Sequence, residues 1–238
     1  MPSTPTTVQD RVTPAGAAAG TFSRDDLERG ARRPLSEGRW ANAVLHLFEH
    51  AGVTWVVKDF RTRSWLVRNV IGRLLVRREA GGLRKLVGVP GTPQGAFRVD
   101  AFALAYRFVP GRGLRKYPAA SLSADFFPRL ERSVTELHAR ARIVHLDLRN
   151  ADNILVTETG EPLLLDFQSH VGIRWMPGPL RRFAERVDRA AIYKHWARRI
   201  PATLGPERSA VLERMNELRP LWALRGYIGS PRRRRRKR

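Results

Sequence analysis

At 238 residues, 42% of them hydrophobic, the chain has the material for one ordinary domain or for two small lobes with cores of their own. The absence of cysteine excludes a disulfide framework and a thiolate zinc site. The 44 Lys and Arg against 22 Asp and Glu leave a formal charge of +22, so polyanions are the expected partners: nucleotide phosphates, an anionic membrane or nucleic acid.

Residues 1–24 are rich in Pro, Thr, Ala and Gly without any period and predict a poorly ordered segment. They lack a basic start followed by an apolar run, so they do not read as a secretory signal. No stretch approaches the roughly 18 consecutive apolar residues of a membrane-spanning helix. The expectation is a cytoplasmic protein, with peripheral attachment at the inner face of the membrane open to so basic a chain.

Arg39 to Phe60 predicts two strands around a turn at Glu49-His50-Ala51-Gly52. The second strand carries Lys58 among Trp55, Val56 and Val57. A lysine there is costly unless it meets an anion or snorkels out at an edge. From Ser64 to Leu86, Leu66/Val67, Val70/Ile71, Leu74/Leu75, Leu83 and Leu86 recur at helical spacing, with arginines elsewhere around the helix. Glu79 falls inside that stripe, so a buried carboxylate needing a partner is expected. Gly81-Gly82 marks a place for the helix to break. Beyond a Pro- and Gly-rich connection, Phe97 to Val109 reads as strands, and Phe126/Phe127, Leu130, Val134 and Leu137 mark a helix whose start is blurred by Pro128.

Ile143 to Gln168 concentrates the chemistry. Ile154 and Val156, then Leu163 and Leu165, alternate as in half-buried strands around Glu158-Thr159-Gly160-Glu161. A two-residue loop at Thr159-Gly160 pairs residue 158 with 161 and, stepping outward, Asn153 with Asp166. A carboxylate and an amide oxygen held together suit Mg²⁺, which takes oxygen ligands and leaves positions for water and phosphate. Asp147, just before the hairpin, is then available as a base or orienter. Downstream, Leu180, Phe183, Val187 and Ala190/Ala191 predict the buried side of another helix. There Asp188 reads as one half of a surface ion pair. Residues 206–225 predict a last helical stretch broken at Pro220, ahead of a tail of arginines and lysine at 231–238 expected to bind anions unselectively.

In order and at this spacing, His145-Leu146-Asp147, Asn153 and Asp166-Phe167-Gln168 resemble the loops of the protein-kinase-like fold, whose pattern is H-x-D, an Asn shortly after, and D-F-G beyond a hairpin. Val56-Val57-Lys58-Asp59-Phe60 is similar to the third strand of a kinase small lobe, and Tyr106 to Gly111 to the hinge. The resemblance covers roughly Trp40 to Ile200. It leans towards small bacterial relatives, the lipopolysaccharide sugar (Kdo/WaaP-like) kinases and the RIO-type kinases.

That resemblance implies an α+β, two-lobed fold: a small β-rich N-lobe with one main helix over residues 36–110, and a reduced, mostly helical C-lobe over 111–228, followed by a disordered basic tail over 229–238. ATP and Mg²⁺ are the implied cofactors. Asp147 orients the acceptor hydroxyl and takes its proton late. Arg149 faces the γ-phosphate or is a surface arginine, and Asp188 braces the catalytic loop as the less favoured alternative to a surface ion pair. Asn153 and Asp166 hold the metal, with Asn150 an outside candidate because the step from Asp147 to Asn153 is one residue longer than usual. Lys58 binds the α and β phosphates with Glu79 as its partner, and the backbone at Arg107 and Val109 receives the adenine. The acceptor is a sugar or lipid-linked hydroxyl, or a protein in the RIO-like alternative. A pseudoenzyme acting as a basic membrane or nucleic-acid module is the other alternative, nucleic acid being the less favoured partner. Two departures stand out: Gly38 and Gly52 are the only upstream candidates for a phosphate loop and neither lies in a G-x-G-x-x-G run, and Gln168 replaces the glycine of D-F-G.

Overall fold

The computed structural model describes residues 20–37 and 42–223. Gly38, most of the 1–24 segment and the tail 231–238 therefore lie outside the described residues. The chain divides into two compact units, one taking residues up to Val76 together with Gly95–Phe108, the other Arg77–Gln94 together with everything from Val109. Among the described residues no helix is long and apolar enough to cross a membrane.

The first unit begins earlier than the sequence suggests. Phe22 is buried, Ser23 closes a capping box with Asp26 at the start of α1 (Arg24–Arg29), and Leu27 of that helix is fully buried. An ordered aromatic anchor is invisible to composition, which averages Phe22 into a Pro-, Thr- and Ala-rich run. Arg24 lies between Asp59 (2.5 Å) and Asp100 (2.7 Å). Burial works against its charge, but the two carboxylates outweigh burial and raise its pKa.

Five strands, β1 (Arg32–Ser36), β2 (Val44–His50), β3 (Val53–Asp59), β4 (Phe97–Arg98) and β5 (Ala103–Arg107), form an antiparallel sheet in the order β1-β2-β3-β5-β4. The β2–β3 turn is Ala51-Gly52, both with positive φ, the mirror-image turn whose twist matches paired strands. Trp55 and Val57 of β3 join Phe22, Leu27, Phe48, Ala103 and Ala105 in one core. Alternation sends Val56 and Lys58 to the other face, and they too are buried.

A π-helical turn, Val67–Gly72, leads into α2 (Arg73–Leu83), which a 3-10 turn, Arg84–Leu86, closes. The wider π-turn rotates the helix face relative to a 3.6-residue period. Leu66, Val70 and Leu74 of the expected stripe are consequently exposed, while Val67, Val76, Ala80, Leu83 and Leu86 are buried. Glu79 is buried as expected, at 1% exposure. The helix runs through Gly81-Gly82 instead of breaking: a Cβ at Gly82 would lie 2.7 Å from the His170 ring, so glycine there permits close packing.

In the second unit, α3 (Phe126–Glu136) buries Phe126, Phe127, Leu130 and Val134 completely. Pro128 sits in its first turn, where a missing N–H costs nothing. A π-helical turn, Leu137–Ala141, ends at Arg142 with φ 55°. Two small antiparallel sheets follow: β7 (Ile143–Val144) with β10 (Val171–Gly172), and β6 (Gly111–Gly113), β8 (Ile154–Thr157) and β9 (Pro162–Leu164) in the order β6-β8-β9. In α4 (Gly178–Arg199) the predicted Ala190 and Ala191 are buried, but so are Ala184, Asp188, Ile192 and His195, whereas Phe183 and Val187 are only half-buried and Leu180 is exposed. Hydrophobicity misjudges this face because an acid and a histidine occupy it. α5 (Pro206–Ala223) continues through Pro220, close to its C-terminal end.

Candidate active site

The hairpin carrying the predicted metal ligands differs from its expected register by one residue. Ile154 pairs with Leu164, Leu155 with Leu163 and Val156 with Pro162. The connection is the three-residue loop Glu158-Thr159-Gly160, closed by Thr157 N–H to the Glu161 carbonyl at 2.9 Å and Gly160 N–H to the Thr157 carbonyl at 2.9 Å, with Gly160 at φ 78°. The glycine takes the expected positive φ, as the last residue of a longer loop. Asn153 therefore faces Leu165 rather than Asp166, and its carbonyl accepts the Leu165 N–H at 2.8 Å.

Asp147 and Asn153 are brought together through two successive turns, Asn150 N–H to the Asp147 carbonyl (3.2 Å) and Asn153 N–H to the Asn150 carbonyl (3.0 Å). These turns take up the longer step between the two residues. Asn153 Nδ2 donates to the Asp147 carboxylate (2.8 Å) and carbonyl (3.0 Å). Asn150 braces the loop: its Nδ2 donates to Asn153 Oδ1 at 3.1 Å, and its own Oδ1 accepts from Arg115 at 2.7 Å. With Nδ2 committed to Asp147, Asn153 Oδ1 is the amide's acceptor, taking one bond from Asn150 and keeping a second lone pair. That oxygen and the Asp166 carboxylate are hard donors that fit Mg²⁺, whose other positions water and phosphate oxygens fill. Among the described residues no group of three or more His, Cys, Asp or Glu is placed to hold a metal ion.

The loop is held from beneath by Asp188, fully buried, which corrects the expectation of a surface ion pair. Its carboxylate accepts from the backbone N–H of His145 (2.7 Å) and Leu146 (2.8 Å) and from His138 Nε2 (3.0 Å). His145, also fully buried, donates from Nε2 to the Leu165 carbonyl (2.9 Å) and accepts at Nδ1 from the Asp147 N–H (3.3 Å). Both backbone groups of Leu165 are thus tied to the loop, which aims the next residue, Asp166. Leu146 and Asp166, flanking this knot, both have left-handed backbones, at φ 64° and 65°. Non-glycine residues reach that region at a cost of roughly 1–3 kcal/mol each and persist where the surroundings over-determine them.

His195, absent from the sequence reading, reaches the same loop: Nε2 donates to the Leu148 carbonyl at 3.0 Å, and burial pushes its pKa down to about 4. His170 bonds the Phe167 carbonyl through Nδ1 at 2.7 Å and is likewise lowered by burial. Lys58 lies at 5% exposure on β3 in the first unit, and Glu79 on the part of α2 belonging to the second. Arg107 is the exposed last residue of β5; Phe108 N–H is taken by the Thr54 carbonyl, and Val109 follows it. Arg149 is half-buried two residues beyond Asp147. Gly52 lies in the β2–β3 turn with open space around it. A cavity of about 1050 Å³ lies elsewhere, between Arg129, Glu131 and Ser133 of α3, Glu161, and Arg189 and Tyr193 of α4. There Tyr193 donates to Glu131, and burial with that carboxylate raises its pKa.

No protein-family model matches the chain, and no curated protein does. Among solved structures it is similar to the Rio2 kinase–ADP/Mg²⁺–phosphoaspartate complex from Chaetomium thermophilum, with TM-score 0.52 and 18% sequence identity over 77% of this chain. The match covers 60% of that kinase chain. The fold is therefore protein-kinase-like, of the RIO type: an α+β chain with its principal sheet in the N-terminal part and mostly helices after it.

Proposed function

We propose that this chain is an ATP- and Mg²⁺-dependent phosphotransferase that moves the γ-phosphate to a hydroxyl. The observation that carries it is the knot of Asp147, Asn153 and His145 bounded by left-handed Leu146 and Asp166, on a fold shared with a kinase described with ADP and Mg²⁺. Phosphoryl transfer asks mainly for positioning and charge neutralisation. Asp147, steadied by Asn153, orients the acceptor hydroxyl and takes its proton late. Asn153 Oδ1 and Asp166 hold Mg²⁺, which supplies neutralisation of the nucleotide phosphates. Lys58 and Glu79, the backbone at Arg107 and Val109, and Arg149 complete the proposal as nucleotide-binding positions.

The acceptor in this reading is a sugar or lipid-linked hydroxyl at the inner face of a membrane, which the charge of +22 favours. A RIO-like serine/threonine protein kinase is the second reading, favoured by the structural likeness. Labelled ATP and Mg²⁺ given with a cell-envelope lipid fraction or a protein fraction distinguish them by where label appears. Hydroxylamine-labile label on the chain itself would instead mark an acyl phosphate. Asp147→Ala and Asp166→Ala are each expected to lower transfer by about a hundredfold or more while the far-ultraviolet spectrum is kept. Transfer at the wild-type rate in either pure variant overturns the proposal, and no magnesium-dependent ATP consumption by the wild type leaves the pseudoenzyme.

A further inference from the structure

Two adjoining cavities in the second unit belong to none of the machinery above. One, about 390 Å³, is lined by Arg142, Arg174 and Arg181. The other, about 770 Å³, shares Arg142 and Arg174 and adds Lys85, Arg140 and Trp175. No carboxylate lines either one. Arg142 and Arg174 sit at the same end of the β7–β10 pair, where Ile173 N–H bonds the Arg142 carbonyl at 2.8 Å. Their backbones are therefore fixed relative to each other.

The charges here are poorly compensated. Among the described residues Lys85, Arg142 and Arg174 make no salt bridge, while Arg140–Glu136 and Arg181–Glu185 are both stretched to 3.9 Å. Arg181 also lies in the first turn of α4, which has no acidic residue and no side-chain cap. A cation there opposes the positive end of the helix dipole. Like charges gathered without counter-charge are unfavourable by themselves and become favourable around an anion. Trp175, 87% exposed beneath the Arg174 guanidinium at 4.9 Å, adds a flat apolar face at the rim.

We propose that Lys85, Arg142, Arg174 and Arg181 form a binding site for a multiply phosphorylated ligand, with phosphates in the two cavities and Trp175 against the ring or sugar that links them. Arginine favours phosphate because its planar fork makes paired charge-assisted bonds. Two cavities sharing two arginines favour a ligand with more than one phosphate. The source is a free phosphorylated sugar or a phosphorylated lipid headgroup.

The test uses the full chain in EDTA, so that magnesium-dependent nucleotide binding does not contribute, with inositol hexakisphosphate as probe and inorganic phosphate for comparison. The double substitution Arg174→Gln/Arg181→Gln is expected to weaken binding of the hexakisphosphate by about tenfold or more, from two lost charge-assisted bonds. Arg98→Gln/Arg112→Gln, which removes the same charge from exposed strand positions, should change it less than about twofold. Ligand-induced change in tryptophan emission should disappear in Trp175→Phe. Equal losses in both double variants, or no loss in the first, overturn the proposal, and melting temperatures confirm that both remain folded. Given the selective loss, sedimentation with phosphatidylcholine vesicles only when they contain phosphatidylinositol bisphosphate assigns the phosphates to a lipid, and indifference to those vesicles assigns them to a soluble ligand.

Discussion

Asp188→Asn isolates what holds the loop before Asp147. The native carboxylate accepts three hydrogen bonds at 2.7, 2.8 and 3.0 Å from His145 N–H, Leu146 N–H and His138 Nε2, at full burial. Asparagine keeps the shape but replaces one oxygen with a donor. With its oxygen in the Oδ2 position it retains His145 and His138, and its amide then confronts the Leu146 N–H; the flipped amide loses two partners instead. One lost charge-assisted bond is worth about 1.5–3 kcal/mol and a stranded buried donor about 1–3 kcal/mol. Together they give a destabilisation of about 2.5–6 kcal/mol, which brackets the range for breaking a buried charge network. Against an ordinary stability of about 5–15 kcal/mol, that is a large fraction, and urea unfolding at neutral pH reads it directly. The Leu146 bond also restrains a residue at φ 64°. Its loss lets the loop relax, so phosphate transfer should fall even under conditions where the variant is fully folded. A loss below about 1 kcal/mol would refute the reasoning, because Asp188 would then be dispensable to the loop.

Acid should destabilise the fold through His195. Its folded pKa of about 4 lies below its ordinary 6.5 because it is buried, so between those values the unfolded chain binds a proton that the folded chain does not. Stability is therefore unaffected above the upper value and falls as pH drops through the window, by on the order of 2 kcal/mol at pH 5; His170, also lowered by burial, adds in the same direction. The gap between urea midpoints at pH 7 and pH 5 should narrow in His195→Gln, leaving the part due to His170, and an unchanged gap would remove His195 as a cause. Two glycines provide a graded comparison. Gly160→Ala faces open space at φ 78° and should cost only about 1–2 kcal/mol for the left-handed backbone. Gly91→Ala, at φ 67°, would also drive its Cβ into Ser133 Oγ and close to the Pro162 carbonyl, adding about 1–3 kcal/mol of overpacking; equal melting temperatures for the two variants would contradict the packing.

Local chemistry was the legible part of this chain. A lysine in the apolar strand Val53–Asp59 and a glutamate in the stripe of α2 read as buried charges, and both are buried. The H-x-D, Asn and D-F pattern pointed to a kinase-like fold, which the structure has. Periodicity was informative only where the helix kept 3.6 residues per turn and its inner face was apolar. The π-turn at Val67–Gly72 defeated the first condition, and Asp188 and His195 on the inner face of α4 defeated the second. Asp188 lies off the apolar stripe of its helix, unlike Glu79, so the pattern places it outside, and only the tertiary structure shows the backbone N–H groups of His145 and Leu146 that receive it inside.

The hairpin shows how a small error of this kind matters for a site. The sequence permits either a two-residue or a three-residue loop at Gly160, since both accept its positive φ. One residue of difference moves Asn153 from opposite Asp166 to opposite Leu165. In a regular strand such a slip would turn every following side chain to the other face. Here the chain leaves the strand at once: Leu165 is clamped by Asn153 and His145, and Asp166 adopts φ 65°. Aspartate tolerates that conformation better than most residues. Leu146, at φ 64°, has no such tolerance and depends on the Asp188 bond. Backbone conformation therefore does what strand pairing was expected to do in directing Asp166, and a buried acid on a later helix helps set the loop on which Asp147 stands.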